Sequence, residues 1–144
     1  MIELKRIGEI TENTINWYIV RRLGDEPLPL VYLHVPDLSP SDELLDEYKA
    51  LRDAENWNSY TFSTIYLPKF LKEMTAETAV EKLEYLVRAS REKDIALFCF
   101  CKTESLCHRS IIGGILKGMG ADIDCSDEYV KYYRMYQEEL ARER

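Results

Sequence analysis

Apolar and polar residues roughly alternate over residues 2–8, the two-residue period of a strand with one face in a core. Residues 15–21, Ile-Asn-Trp-Tyr-Ile-Val-Arg, are rich in β-branched and aromatic types and predict a second strand. Gly24-Asp-Glu-Pro27 breaks it. The run 30–35 is nearly continuous in apolar character, which predicts a third strand in a central position, covered on both faces. His34 within it reads as a core histidine with its hydrogen bonds satisfied. Ser39, Pro40, Asp42 and Glu43 then form a helix start: a capping side chain, a proline suited to the first position, and acids at the positive end of the dipole. They predict a helix over 40–53. Phe62, Tyr66, Phe70 and Met74 continue a helical rhythm that Pro68 should kink or split. Thr75 is expected to cap a further helix with Ala79, Val80, Leu83, Leu86 and Val87 on one face, ending near Lys93.

The second half of the pattern is sharper. An apolar run predicts a strand over 95–100, and a short polar turn leads to an amphipathic helix over 107–119, closed by Gly120. A short strand over 121–125 and a last helix, capped by Ser126 or Asp127, complete the chain. Tyr129, Tyr132, Tyr133 and Tyr136 lie at helical spacing and read as a packing stripe. Strands alternating with helices in this way predict one α/β domain over 1–144, three-layered, with a mostly parallel central sheet flanked by helices.

Composition narrows the function. With 144 residues the chain is long enough for one sizeable core, and 46% hydrophobic with 31% charged residues is the balance of a globular protein. No apolar stretch approaches the length of a membrane span, and residues 1–6 do not begin a signal peptide, so a cytoplasmic location is expected. A net charge of −7 argues against non-specific wrapping of nucleic acid, which needs many basic residues against phosphates, but leaves room for a local basic pocket. In that compartment the four cysteines are expected to be reduced.

The chemistry concentrates in residues 95–109, Ile-Ala-Leu-Phe-Cys-Phe-Cys-Lys-Thr-Glu-Ser-Leu-Cys-His-Arg. A strand followed by a turn and a helix start is where open α/β sheets bind ligands. Cys99 and Cys101 are two apart on a strand and share a face, either as buried thiols or as pocket groups. Cys107 stands where a helix begins, a place that favours thiolate, and His108 beside it can reinforce this; a nucleophilic or anion-binding role follows. Arg109 at a helix start opposes the dipole, so an anion should offset it: either a bound ligand or an ion pair with Glu104. Cys99, Cys101, Cys107 and His108 could supply three sulfurs and a nitrogen to zinc, but Cys-x-Cys on a strand with an adjacent Cys-His departs from the usual ligand spacing. The spacing therefore predicts no metal, and no cofactor is expected.

Cys99 to Arg109, an apolar strand with a cysteine followed eight residues on by Cys-His-Arg, resembles the signature of the Domain of Unknown Function 488 family. Residues 35–49 look like the family's Leu-x-Pro-Ser helix start, and Trp57, Tyr60 and Tyr66 like its downstream aromatic positions. Arg21 matches the arginine of the family's Asp-Val-Arg strand, which implies that it belongs to the same site. The resemblance spans about residues 15–123. Cys101 stands where the family usually has glutamate and Ile19 where it usually has aspartate, so two carboxylates are replaced unless Glu104 or Asp37 substitutes. The resemblance bears on fold and site rather than on a reaction.

Together these features point to a small pocket at the carboxyl ends of the strands, with Cys107, His108 and Arg109 as candidate catalytic groups. Arg21, Cys99, Cys101 and Glu104 are its candidate ligand-binding residues. The expected partner is an anionic or nucleotide-derived small molecule, either as the substrate of an enzyme or as the ligand of a non-catalytic binding module. A metal-stabilised interaction protein is the remaining alternative. Oligomeric state leaves no mark on the sequence.

Overall fold

The computed structural model describes residues 1–143. Five strands, β1 (Ile2–Arg6), β2 (Ile15–Tyr18), β3 (Leu33–His34), β4 (Ile95–Cys99) and β5 (Ile123–Asp124), form one sheet in the order β3-β2-β4-β1-β5. Every pairing is parallel, with Leu97 of β4 beside both Leu4 and Trp17. Helices α1 (Asp42–Asp53), α2 (Ser59–Thr61), α3 (Leu67–Glu73), α4 (Glu77–Ala89), α5 (His108–Gly118) and α6 (Lys131–Arg142) flank it. This is the α/β architecture expected from the pattern, consistent with three layers. No helix among the described residues is long and apolar enough to cross a membrane.

β4 is the central strand, which is why all five of its residues are buried. Alternate side chains enter two clusters. Ile95 and Leu97 join Ile2, Leu4, Trp17 and Ile19 in the main core beneath the helices. Ala96 and Phe98 join Ile7, Tyr18 and Val20 in a smaller cluster on the other side, closed by Leu23 and Leu28. The tyrosine stripe does pack: Tyr132 and Tyr136 are buried in the main core, and Tyr129 and Tyr133 lie against it. Close approach of α6 and the turn before it depends on glycines of α5. A Cβ on Gly114 would stand 1.9 Å from the Tyr129 carbonyl oxygen.

Several expectations are corrected. The third strand is at the sheet edge, not the centre, and spans only two exposed residues. Its apolar run meets solvent: Leu30 is fully exposed and Val31 is 81% exposed. His34 is exposed as well, although its Nε2 does meet the Val20 carbonyl at 2.8 Å. The cap of α1 is Ser41, which accepts from the Leu44 amide, while the Ser39 hydroxyl donates to the Pro36 carbonyl. Thr75 does not cap α4; its hydroxyl donates to the Lys72 carbonyl and closes α3. Ser126 caps a short 3-10 turn that precedes α6. Pro68 does split its helix. It sits in the first turn of α3, after a π turn over Phe62–Tyr66, because a proline cannot donate back into a continuous α-helix.

A candidate pocket over a thiol and histidine cluster

The chain leaves β2 outward to β3 but leaves β4 across β1 to β5, so the connections diverge between β2 and β4. Such a divergence opens a crevice at the carboxyl ends of the strands. A cavity of about 590 Å³ lies there, lined by residues after β1, β2 and β4 and by α1. That volume is in the range of small-molecule sites.

Its walls are basic and aromatic. Arg6, Arg21, Arg22, Lys49, Arg52 and Lys102 line it, six of the chain's 19 basic residues, and none of its 26 acidic ones does. Two of the cations are already paired: Arg22 with Asp42 and Arg52 with Asp53, each at 3.2 Å. Arg21 donates to the Pro40 and Pro36 carbonyls at 3.0 and 3.3 Å and holds the start of α1 against the strand end. The side-chain cations of Arg6, Lys49 and Lys102 have no carboxylate within 4.0 Å among the described residues, although the Arg6 backbone amide donates to Glu9 Oε1 at 2.8 Å. Tyr48, Trp57, Tyr66 and Phe100 supply the aromatic surface. Trp57 meets Tyr48 edge-on at 4.7 Å and Tyr66 at 5.4 Å. Phe100 rests on Gly24, whose φ of +71° and lack of a Cβ permit the approach.

The floor is the thiol and histidine cluster. Strand β4 delivers Cys99, the loop turns Cys101 back beside it, and a 3-10 turn over Glu104–Leu106 places Cys107 at the N-cap of α5. Cys99 Sγ stands 3.5 Å from Cys107 Sγ and 3.7 Å from both Cys101 Sγ and His108 Nδ1. His108 Nδ1 is 3.6 Å from Cys107 Sγ, and its Nε2 donates to the Ile19 carbonyl at 2.7 Å. The cysteines are unpaired by disulfides. Cys99, Cys107 and His108 are buried and Cys101 is partly exposed.

Electrostatics polarise this group. Burial opposes ionisation of Cys107, but hydrogen bonds from the Cys101 and Cys99 thiols and the adjacent His108 hold it well below the ordinary thiol range. Burial would likewise lower His108, yet the Cys107 charge and bonds within the cluster push it up to about 10. At Cys99 the hydrogen bond to Cys101 pulls down, but the bond to Cys107 and burial outweigh it and the thiol shifts up. Cys101 shifts up through its bonds to Cys107 and Cys99 and through burial. The cluster thus biases Cys107 and His108 towards their charged forms and Cys99 and Cys101 towards their neutral ones.

Of the residues singled out from sequence, Cys99, Cys101, Cys107, His108 and Arg21 all line the cavity. Arg109 and Glu104 do not. Arg109 is only 2% exposed and turns inwards: Nη2 donates to the Cys101 carbonyl at 2.6 Å, and Nε lies 3.4 Å from Cys107 Sγ. Its guanidinium therefore faces the Cys107 sulfur and the Cys101 carbonyl rather than Glu104. Glu104 accepts instead from the Tyr129 hydroxyl at 2.9 Å. The spacing argument against a metal also loses its premise, since the fold gathers the four ligand atoms within 4.8 Å of one another. Arg6, Arg22, Lys49, Arg52 and Lys102 were missed; Arg22 adjoins Arg21, and the other four carry no local mark. Those four come from three separate segments, and no local signal joins them.

A family model described as the Active DUF488-N3 subclade matches residues 5–120, a span that contains the whole cluster and every cavity residue named above. No curated protein and no solved structure matches the chain.

Proposed function

The chain belongs to the DUF488 family, and on that footing we propose that its cavity binds an anionic small molecule of the nucleotide class above the thiol and histidine floor. The observation that carries this reading is the lining: among the described residues, six cations and no carboxylate, in a protein whose net charge is −7. Cations gathered against the overall balance raise the local concentration of anions. The side-chain cations of Arg6, Lys49 and Lys102 form no ion pair among the described residues, so a phosphate or carboxylate gains their charge without displacing a partner. The faces of Tyr48, Trp57 and Phe100 suit a base ring, which stacks on aromatic side chains irrespective of its identity.

An enzymatic role agrees with the word active in the subclade's description and with the floor of sulfurs beneath the ligand. A binding module is favoured by one observation: among the described residues no carboxylate lines the cavity to act as general acid or base. Calorimetric titration separates binding from chance. Nucleoside monophosphates are expected to bind, inorganic phosphate more weakly, and the uncharged nucleosides at least tenfold more weakly than their monophosphates. Lys49→Gln with Lys102→Gln should weaken the monophosphate about tenfold, which is about 1.4 kcal/mol. Equal affinity for nucleoside and monophosphate, or none for either, overturns the reading. Product analysis of the incubated mixtures then distinguishes turnover from binding alone.

A further inference from the structure

We infer that Cys99, Cys101, Cys107 and His108 form a tetrahedral zinc site that fixes the floor of the cavity. The inference stands on the geometry of the cluster and does not depend on what the cavity binds.

The distances support it first. Zinc bonds sulfur at about 2.3 Å and imidazole nitrogen at about 2.0–2.1 Å, so a tetrahedron has S···S edges of about 3.8 Å and S···N edges of about 3.6 Å. The Cys99–Cys101 and Cys99–Cys107 sulfur pairs are 3.7 and 3.5 Å apart. Cys99 and Cys107 lie 3.7 and 3.6 Å from His108 Nδ1. The two remaining edges, both to Cys101, are no longer than 4.8 Å. Four of the six edges thus already have tetrahedral lengths.

The donor set comes next. Three sulfurs and one imidazole nitrogen, with no oxygen donor in the group, select a soft or borderline ion in tetrahedral geometry, and zinc is the d¹⁰ ion that accepts it without redox chemistry. Four protein ligands leave no open position. The site is closed and therefore structural.

The surroundings already meet the requirements of an outer shell. A metal-bound histidine needs its other ring nitrogen held by an acceptor, and His108 Nε2 donates to the Ile19 carbonyl at 2.7 Å, which leaves Nδ1 facing the sulfurs. A coordinated thiolate needs donors, and the Arg109 amide and Nε lie 3.5 and 3.4 Å from Cys107 Sγ. Charge closes as well. Zn²⁺ with three thiolates leaves −1, and the buried Arg109 guanidinium offsets it. On loading, the cluster releases three protons to solvent, from its thiols and from His108 Nδ1, as the sulfur–metal and nitrogen–metal bonds form, and nothing is oxidised or reduced. The ion would tie the end of β4, the turn after it and the start of α5 into one unit, which makes the cavity floor rigid.

The test is metal content and ligand spectrum, not activity. The full chain, purified under reducing conditions, is expected to hold about one zinc per molecule by elemental analysis. After chelation, cobalt(II) should give the intense visible bands of a tetrahedral ion and a thiolate charge-transfer band, both abolished by one equivalent of zinc. Cys101→Ser removes the partly exposed ligand at least cost to the core; it should weaken the charge-transfer band and lower zinc affinity more than tenfold. Cys125→Ser, outside the cluster, should change neither. A metal-free parent whose cobalt spectrum is that of the hydrated ion overturns the inference, as does a Cys101→Ser spectrum identical to the parent's. Iron with acid-labile sulfide in the purified chain overturns it too. Nucleotide titration of the zinc-loaded parent is scored separately, so failure of either reading leaves the other intact.

Discussion

Arg109→Gln discriminates a clamp from a ligand-binding arginine. In the structure the guanidinium is 2% exposed, bonds the Cys101 carbonyl through Nη2 at 2.6 Å and meets Cys107 Sγ through Nε at 3.4 Å. Each hydrogen bond of a charged group contributes about 1.5–3 kcal/mol. Losing both, and leaving the helix-start sulfur without its cation, should cost roughly 3–5 kcal/mol, the range for breaking a buried charge pair. Glutamine can recover one bond to the Cys101 carbonyl, which favours the lower end. At about 4 °C per kcal/mol for a chain of this length, the midpoint should fall by about 12 °C or more. The assay is urea and thermal unfolding of parent and mutant in reducing buffer with excess chelator, so that metal content does not enter the difference. Arg109→Lys, which keeps the charge but not the planar fork, should fall between the two. If Arg109→Gln stays within about 1 kcal/mol of the parent and abolishes nucleotide stabilisation, the clamp is refuted and the arginine faces a ligand.

Two further substitutions test the packing that carries the site. Gly114→Ala would gain about 1 kcal/mol in an unhindered helix; here a Cβ 1.9 Å from the Tyr129 carbonyl oxygen forces α5 and the turn before α6 apart, so a loss of about 2–3 kcal/mol is expected in urea unfolding. Tyr136→Phe removes the buried bond to the Met74 carbonyl at 2.7 Å and should cost about 1–3 kcal/mol, with nucleotide binding unchanged.

How much was legible in the sequence depends on whether a feature is local. Strand β4, the turn after it and helix α5 were readable because an apolar run, a polar turn and an amphipathic period are written in consecutive residues. Cys107 at a helix start was readable for the same reason. A mostly parallel sheet was implied by the β-α-β units of the second half, but the place of each strand was not: Leu30–Val35 is as apolar as a central strand and yet yields only the two-residue edge strand Leu33–His34. Position in a sheet is decided by long-range pairing, which local hydrophobicity does not encode. The direction of a side chain is decided in the same way. Arg109 and Glu104 sit among the site residues in sequence, but the fold turns one towards Cys101 and Cys107 and gives the other to Tyr129. Apart from Arg21 the cationic wall has no sequence signal, since its members come from strand ends, α1 and the loop after β4 and meet only in space. Spacing along the chain likewise argued against a shared ligand set for Cys99, Cys101, Cys107 and His108. The strand end and the helix cap brought the four atoms together because both elements stop at the same edge of the sheet.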